Sequence, residues 1–305
     1  MLTTVAICTR NRAALMEKAV RSVLAQMGSD TELLIVDNGS SDETPELAKK
    51  IVAADPRVRF IVEKNSGISH ARNAAVKDAR GKWLLFLDDD ATAEPSWLAA
   101  YENFFRNPPD EKAASVGGAV TPVFEIPLPK WVEKDVAKLD LGPKPFPFPY
   151  DHCPWECNYA VRCDAVNAVG GFGSPFGHIG QTTGYREGAE LNLRLQDAGY
   201  ETWWLPGAAI RHFMHAKRMN LRWLLSAAFN EGRSIALHRL KDRAGAGRFF
   251  YCAGRLLAAP FHMVVNLLVA AVSWPFQHGR PAVKALKRVM SVSGMATELF
   301  RRIKR

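Results

Sequence analysis

The sequence lacks both of the glycine-rich loops that most often hold phosphate groups in nucleotide-binding proteins. Its 22 glycines form neither the Gly-x-Gly-x-x-Gly pattern of dinucleotide-binding folds nor a P-loop. A loop of backbone amides is therefore excluded as the usual way of binding a phosphate. A nucleotide bound to this chain needs another source of positive charge, and a metal ion would supply it.

Cysteine is scarce as well. Five cysteines are an odd number, and no secretory leader precedes the first strand-like residues, so we expect reduced, cytosolic thiols. Cys153, Cys157 and Cys163 lie close together in the chain, but their spacing does not match a zinc knuckle and no fourth ligand is obvious. The sequence argues against a structural zinc site.

Acidic residues are rare only in the last third of the chain. Residues 1–210 carry 22 basic and 28 acidic side chains, a net charge of −6, whereas residues 211–305 carry 18 and 3, a net charge of +15. A chain divided in this way is expected to meet a polyanion through its C-terminal part only. The candidate polyanions are nucleic acid and an anionic membrane surface.

The first ninety residues contain a regular alternation of strand-like and helix-like segments. The strand-like segments are Thr3–Cys8, Glu32–Val36, Val58–Val62 and Trp83–Leu87, and the helix-like segments are Ala13–Gln26, Glu43–Ala54 and Ile68–Asp78. This alternation predicts βαβ units, and hence a parallel sheet with right-handed crossovers.

Three consecutive carboxylates, Asp88, Asp89 and Asp90, follow the fourth strand. Ligands of open α/β sheets bind at the carboxyl ends of strands, and neighbouring carboxylates repel one another unless a cation neutralises them. Oxygen ligands of this kind suit Mg²⁺ or Mn²⁺, which usually binds together with a substrate phosphate. The alternative is a solvated acidic turn before a helix that starts near Glu94.

Four longer segments carry a resemblance to a known family. They are VAICTRNRAALMEKAVRSVLAQ, LLIVDNGSSDET, NSGISHARNAAVKDARGKWLLFLDDD and AELNLRLQDAGY, spread from about Val5 to His212. In this order and spacing they resemble the inverting family 2 glycosyltransferases of the GT-A fold. The resemblance implies an α/β fold with a Rossmann-like, mostly parallel sheet flanked by helices, which a basic helical extension follows in this chain.

The same resemblance implies an enzyme that moves a sugar from a UDP-, GDP- or dTDP-sugar to a hydroxyl group, with inversion and with Mg²⁺ or Mn²⁺. The acceptor would be a glycan, a polysaccharide or a lipid-linked molecule. Two other interpretations remain open: a nucleotidyltransferase acting on a sugar phosphate, and a non-catalytic membrane-binding protein on an inactive scaffold. Nucleic acid is not an expected partner, because the basic residues follow an apolar segment instead of alternating with exposed aromatic residues.

The resemblance also assigns binding residues, position by position. The donor nucleotide is assigned to Thr9, Arg10, Asp37, Asn38, Arg72, Asp88 and Asp89. The metal is assigned to Asp88, Asp90 and His212. Many family members have an aromatic residue near the position of Thr9, and this chain does not. The alternatives are structural: an Asx turn at Asp37, a surface charge at Arg72 and a structural histidine at His212.

The catalytic base is assigned by the same resemblance to Glu187 or Glu190. Family members usually have Glu-Asp or Glu-Glu where this chain has Glu187-Gly188, and in many of them the second acid is the base. Gly188 is therefore a departure from the pattern, and we favour Glu187, with Glu190 as its substitute. Alternatively, both are acids of the kind that helix N-termini favour.

Two segments between these motifs have the composition of loops. Pro122–Pro154 contains alternating prolines, which favour an extended conformation, and long segments of this kind are often lids or binding loops. We expect it to bind the acceptor, with aromatic residues that either stack on a sugar or anchor the loop. These residues are Trp131, Phe146, Phe148, Tyr150 and Trp155. The glycine-rich segment Gly173–Gly184 is expected to be mobile.

The apolar segment Leu256–Phe276 contains no charged residue, and as a helix it would measure about 31 Å, near the thickness of the bilayer's hydrocarbon core. Pro260, His262, Asn266 and Pro275 are expected to interrupt it. A single crossing would also export the basic tail, against the positive-inside tendency. We therefore expect an in-plane or re-entrant segment on an anionic membrane surface. The alternative is a buried helix of a soluble protein.

Together these patterns predict two domains in a cytoplasmic protein at the inner face of the cell membrane. Residues 1–215 are expected to form the catalytic domain, with a nucleotide-sugar half at about 1–120 and an acceptor half at about 121–215. Residues 216–305 are expected to form a helical, basic extension.

Overall fold

A computed structural model describes residues 2–133, 136–173, 187–240, 245–275 and 279–303. The chain divides into two compact units. The sheet unit comprises Met1–Val123, Ala137–Thr182 and Arg186–Phe213, and the helical unit comprises Phe124–Val136, Thr183–Tyr185 and Met214–Arg305. The predicted domain boundary at residue 215 stays a prediction. The glycine-rich segment that was expected to be mobile lies, apart from Gly173, outside the described residues.

The described strands are β1 (Thr3–Thr9), β2 (Thr31–Asp37), β3 (Val58–Val62), β4 (Trp83–Leu87), β5 (Ala91–Ala93), β6 (Ala113–Phe124), β7 (Phe146–Pro147), β8 (Asn158–Arg162) and β9 (Glu201–Met214). The described helices are α1 (Ala13–Leu24), α2 (Thr44–Ala54), α3 (Ile68–Asp78), α4 (Trp97–Arg106), α5 (Cys163–Ala168), α6 (Glu187–Asp197), α7 (Leu221–Leu240), α8 (Gly245–Ser273) and α9 (Arg280–Ile303).

The strands form one sheet in the order β3-β2-β1-β4-β8-β6-β9-β5, with β7 paired to β9. The pairings among β1, β2, β3 and β4 are parallel, as the alternation of strands and helices predicts. From β4 onward the recorded pairings are antiparallel. The mixed α/β fold class is confirmed, but the sheet is not mostly parallel. The reason is that β8 lies between β4 and β6 and runs antiparallel to both, and that β9 runs antiparallel to β5 and β7.

The sheet unit has three layers because successive residues of a strand face opposite sides of the sheet. Ile7, Ile35 and Leu85 point to the layer of α1, α2 and α4, where Met16 and Trp97 are fully buried. The strand residues that alternate with them pack against α3, α5 and α6 on the other side. Strands buried on both faces are a rigid base for side chains at their carboxyl ends.

Part of the proline-rich segment is tied to the sheet. Phe146 pairs with Trp204 through β7 and β9, and Val120 bridges to Leu139. The hydroxyl group of Tyr150 donates a 2.7 Å hydrogen bond to Asp197 at the end of α6. Phe146 and Tyr150 therefore have the anchoring contacts that were one of the two expected roles. The acceptor-binding role of the loop stays a prediction.

The helical unit is built around α9, which packs against both α7 and α8. Cys252 near the start of α8 clusters with Leu299 near the end of α9, and Ala270 near the end of α8 clusters with Ala282 near the start of α9. The two helices are therefore antiparallel along their length. Pro260 lies inside α8 without ending it, so the expected interruption there is wrong. A single proline removes only one backbone hydrogen bond from this 29-residue helix.

One side of α8 is apolar and exposed. Its residues recur at helical spacing and are between 55% and 81% exposed: Leu257, Phe261, Val264, Leu268 and Val272. We call this set the apolar stripe. Among the described residues, α8 is the one helix whose length and hydropathy are sufficient to cross a membrane.

Candidate active site

Several chain segments meet at one edge of the sheet. The carboxyl ends of β1, β2 and β4 lie together because the three strands are parallel, and Thr9 pairs with Asp37 in register. Asp88–Asp90 follow β4 directly. Because β8 is antiparallel to β4, the residues before Asn158 reach the same edge, and β9 brings His212 beside β5. The predicted triple-aspartate site thus lies beside residues from β1, β2, β8 and β9, at the end of β4.

Asp89 has its hydrogen bonds within the chain. Its carboxylate accepts a 2.8 Å bond from Thr9 Oγ1 and a 2.7 Å bond from Arg12 Nη1. Burial and the neighbouring aspartates raise the pKa of Asp89 to about 6, although Arg12 and Thr9 oppose this shift. Asp89 therefore ties β1 to the end of β4. The nucleotide contacts assigned to Thr9 and Asp89 stay predictions.

Asp88, Asp90 and His212 fit a divalent cation. Asp90 is buried and lies 3.0 Å from His212 Nε2, while the side chain of Asp88 is 37% exposed. Ligand atoms of Asp88, Cys157 and His212 all lie within 4.8 Å of one another. Burial raises the pKa of the Cys157 thiol well above its usual value, which keeps the thiol protonated and makes it a poor ligand. Asp88 and His212 are the ligands of this group that remain, and Asp90 beside His212 is the second carboxylate that the sequence assigned to the metal. Oxygen and imidazole ligands of this kind suit Mn²⁺.

A second cluster is centred on Arg72, which α3 places in the buried interior beside Phe86 and Phe172. Its Nη1 atom lies 2.7 Å from Glu187 Oε1 and 3.0 Å from Glu156 Oε2, and its Nη2 atom lies 3.7 Å from Asp88 Oδ1. One guanidinium group thus faces three carboxyl groups. We call these four residues the Arg72 cluster.

The protonation of the Arg72 cluster follows from this excess of acids. Burial and the negative charge of Glu156 raise the pKa of Glu187 well above its usual value, and Arg72 only partly offsets the shift. Burial alone would also raise the pKa of Glu156, but Arg72, the Glu187 carboxyl group and the Gly188 amide together lower it. These opposite shifts favour a proton on Glu187 and a negative charge on Glu156.

Glu190, the other predicted base, has a different environment. Its two carboxylate oxygens accept bonds of 2.8 and 2.7 Å from Arg194, one turn along α6. Arg194 also donates to the carbonyl groups of Val169 and Gly171, which follow α5. This pair ties α6 to the turn after α5, so its recorded contacts are structural.

The remaining predicted residues lie at the turns after β1 and β2. Both carboxylate oxygens of Asp37 accept the backbone amide of Ser40, three residues on, at 3.2 Å. The contact is local, but it is not that of an Asx turn, which reaches the amide two residues on. The Asn38 side chain accepts a 2.8 Å bond from the amide of Gly67 and donates to two carbonyl groups. Arg10 is exposed and contacts Ser66 at 2.5 Å. Asn38 therefore ties the turn after β2 to the segment between β3 and α3. The nucleotide contacts of all three residues stay predictions.

Sequence reasoning assigned no role to Arg12 or Glu156. Arg12 lies 2.7 Å from Asp89 and 3.1 Å from Asp90, and it is the positive charge that balances this pair. Its position in a polar run directly after the first strand was a usable signal. Glu156 gave no such signal, because its place depends on the antiparallel pairing of β8 with β4.

Comparison with sequence families agrees with this arrangement. Residues 4–151 match the family model for glycosyl transferase family 2. The chain is 27% identical over 242 residues to a glucosyl-dolichyl phosphate glucuronosyltransferase of Haloferax volcanii, covering 77% of this chain and 76% of that protein. It is 28% identical over 269 residues to the succinoglycan biosynthesis protein ExoA of Rhizobium meliloti, covering 86% and 74%.

Comparison with solved structures agrees on the fold. A mannosyltransferase of Pyrobaculum calidifontis, solved in complex with GDP-Man and Mn²⁺, superimposes with a TM-score of 0.64 at 16% sequence identity, covering 97% of this chain and 86% of that one. At this level of identity the likeness concerns the GT-A fold alone. The family match and the relatives show that this protein is a glycosyltransferase, with a glycosyl transferase family 2 domain over residues 4–151.

Proposed function

We propose that this enzyme transfers a sugar from a nucleotide diphosphate sugar to a hydroxyl group of a lipid-linked or polysaccharide acceptor, with inversion at the anomeric carbon. The observation that carries the proposal is that the Arg72 cluster shares Asp88 with the residues assigned to the metal, Asp88, Asp90 and His212. One group of residues fits a cation and a diphosphate, and the other supplies carboxylates for proton transfer. An inverting displacement needs both functions at one place.

The donor half of the proposed reaction uses the edge formed by β1, β2 and β4. Asp88, Asp90 and His212 would hold Mn²⁺ or Mg²⁺, and the bound cation would neutralise the diphosphate as it leaves. The mannosyltransferase with the similar fold was solved with GDP-Man and Mn²⁺, which supports a donor and a cation of these classes. Arg12 contributes by keeping Asp89 and Asp90 in place through its two ion pairs. Thr9, Arg10, Asp37 and Asn38 are the proposed contacts to the nucleotide.

The acceptor half needs a carboxylate that takes the hydroxyl proton as the oxygen attacks. Of the two residues predicted from the sequence, Glu187 belongs to the Arg72 cluster, whereas Glu190 is occupied by Arg194. The geometry therefore favours a base within the Arg72 cluster over Glu190. A positioned general base contributes typically 10²–10⁴-fold to the rate.

The nature of the acceptor is proposed from the relatives and from the helical unit. The Haloferax relative is named for its action on glucosyl-dolichyl phosphate, and the Rhizobium relative for succinoglycan biosynthesis. An acceptor attached to a lipid would require the enzyme to work at a membrane. The apolar stripe of α8 supports this, because such a stripe on a soluble surface would be in contact with water.

We further propose that α8 lies in the plane of the membrane at its cytoplasmic face. If α8 crossed the bilayer, the antiparallel α9 would cross beside it and carry Lys284, Lys287 and Arg288 into the hydrocarbon core. Each of these charges would cost about 2.5–3.5 kcal/mol at the bilayer centre. An in-plane pair instead turns the apolar stripe toward the acyl chains and leaves the basic residues near anionic head groups. In this proposal residues 1–215 are catalytic and residues 216–305 attach the enzyme.

The proposed function is tested with a panel of nucleotide sugars. Purified protein in detergent is incubated with UDP-, GDP- and dTDP-sugars, Mn²⁺ and a membrane lipid extract, and the released nucleoside diphosphate is measured. We expect one of the nucleoside diphosphates to be released. We also expect binding of the corresponding nucleotide sugar to be lost in EDTA and restored by Mn²⁺. Release of pyrophosphate from a nucleoside triphosphate and a sugar phosphate would show a nucleotidyltransferase instead. No metal-dependent binding of any donor would refute the proposal.

A further inference from the structure

Gly188 and Glu156 compete for the same space. A Cβ atom built on Gly188 would lie 2.6 Å from Glu156 Oε1 and 2.7 Å from Glu156 Cδ, closer than real side chains approach each other. The backbone N–H of Gly188 donates a 2.7 Å hydrogen bond to the same Oε1 atom. A side chain at position 188 would therefore have to occupy the volume that the Glu156 carboxyl group fills. The glycine that breaks the expected acidic pair is the residue that admits Glu156.

Glu156 is also the more accessible of the two glutamates beside Arg72. Its side chain is 22% exposed, whereas that of Glu187 is 5% exposed. A general base has to be ionised and within reach of the proton that it removes. Arg72 at 3.0 Å and the Gly188 amide both stabilise a negative charge on Glu156. Of the two glutamates, Glu156 is therefore the one whose exposure lets a substrate reach it and whose hydrogen bonds stabilise the ionised form.

Glu187, in contrast to Glu156, is placed to hold its neighbour and not to meet a substrate. It is buried against the Nη1 atom of Arg72 at 2.7 Å, and its carboxyl group is hydrogen-bonded to that of Glu156. A protonated Glu187 is a donor to Glu156 and an acceptor from Arg72. It therefore orients Glu156 and has no need to meet the substrate itself.

We propose that Glu156 is the catalytic base, in the place of the acid that position 188 lacks, and that Glu187 positions it. This assignment rests on the proposed glycosyl transfer. The acceptor O–H bond breaks as its oxygen bonds to the anomeric carbon, and the proton passes to a Glu156 carboxylate oxygen. The bond from the anomeric carbon to the diphosphate breaks, and its electron pair leaves with the diphosphate. Glu156 then returns the proton to water.

The first test compares two carboxylate-to-amide variants with the donor that the wild-type enzyme turns over. Glu156→Gln keeps the size of the side chain and one of its two acceptor oxygens, so we expect kcat to fall by at least about 10²-fold while Mn²⁺-dependent binding of the nucleoside diphosphate is retained. Glu187→Gln still donates to Glu156 and accepts from Arg72, so it should retain more activity than Glu156→Gln. Glu17→Gln, in the exposed ion pair of α1, is the matched control.

The second test moves the acid from one position to the other. Gly188→Asp alone should lose activity because its side chain meets Glu156, and Glu156→Ala alone should lose it because the carboxylate is gone. The double variant Glu156→Ala/Gly188→Asp frees the space and restores an acid there. We expect it to exceed either single variant by at least about tenfold, a non-additive gain between residues in contact.

The outcomes separate this assignment from the proposed function. Wild-type kcat in Glu156→Gln, or a larger loss in Glu187→Gln than in Glu156→Gln, would overturn the role of Glu156 while glycosyl transfer stands. A folded double variant that binds the nucleoside diphosphate but recovers no activity would also overturn it. A wild-type enzyme that turns over no nucleotide sugar would overturn both.

Discussion

The sheet unit and the helical unit use charge in opposite ways. In the sheet unit, Arg72 and the acids Asp89, Asp90 and Glu187 are each no more than 5% exposed, and each is in an ion pair. Glu187 is paired with Arg72, and the two aspartates are paired with Arg12. In the helical unit, basic residues such as Lys284 lie at the surface, and large apolar side chains are exposed as well. The first arrangement brings ionisable groups together where a reaction can use them, and we propose that the second contacts a membrane.

This contrast has an energetic consequence. Removing one member of a buried, paired group leaves its partner charged and without compensation, which costs several kcal/mol. Removing an exposed charge or one residue of the apolar stripe leaves nothing buried behind, so each loss is small in water. Single substitutions should therefore act strongly in the sheet unit. In the helical unit they should act only when a membrane is present.

The largest effect is expected from Arg72→Gln. This change leaves Asp88, Glu156 and Glu187 without their shared cation, so the free energy of unfolding should fall by about 3–5 kcal/mol. Chemical unfolding followed by tryptophan fluorescence measures the loss. Arg21→Gln, which removes an exposed pair with Glu17, should change stability by less than about 1 kcal/mol. Equal effects of the two variants would remove the contrast between buried and exposed pairs.

Asp90→Ala should abolish transfer without unfolding the protein. We expect turnover to fall by at least about 10³-fold, or about 4 kcal/mol, because the cation site loses its buried carboxylate and the diphosphate loses its counter-charge. Calorimetry with Mn²⁺ should show weakened binding of the metal and of the nucleoside diphosphate. Asp164→Ala removes a carboxylate that is 65% exposed on α5 and serves as the control. Unchanged Mn²⁺ affinity in Asp90→Ala would contradict the metal assignment.

In the helical unit, the double variant Leu257→Asp/Phe261→Asp should release the enzyme from membranes. Burial of each large apolar side chain is worth about 1.5–3 kcal/mol, so binding to phosphatidylglycerol vesicles should weaken by at least about 10²-fold. Flotation measures the bound fraction. Val62→Asp replaces a valine that is 52% exposed in the sheet unit, and it should leave flotation unchanged. Retained binding of the double variant would show that the apolar stripe does not contact lipid.

The smallest effect is a dependence of stability on pH. The folded protein keeps a proton on Glu187 above the pKa of an unfolded glutamate, so stability should fall as pH rises from about 4.3 through the raised pKa, by at most about 1.4 kcal/mol per pH unit. Glu187→Gln cannot ionise and should lack this slope. Unfolding curves from pH 5 to pH 8.5 compare the two. Parallel curves would mean that Glu187 is ionised in the folded state.

The sequence was sufficient to predict those strands and helices whose bounds depend on residues close together in the chain. The bounds of β3, α3 and β4 agree with the predicted segments residue for residue, since hydrophobic periodicity and turn residues act over a few positions. The edge of the sheet that carries Asp88–Asp90 followed from the same patterns. The antiparallel half of the sheet was not predictable in this way. The residues of long strands such as β6 and β9 do not indicate which other strands they will pair with.

By itself, then, the sequence determined the family, the first four strands and the acids that follow the fourth. Only the tertiary structure decided which acids meet. Glu156 and Gly188 are 32 residues apart, and no periodicity links them. The pairing of β8 with β4 and the start of α6 bring them together, and the absence of one Cβ atom lets Glu156 reach Arg72. Contacts between distant residues depend on how strands and helices pack, and this packing is a property of the whole unit.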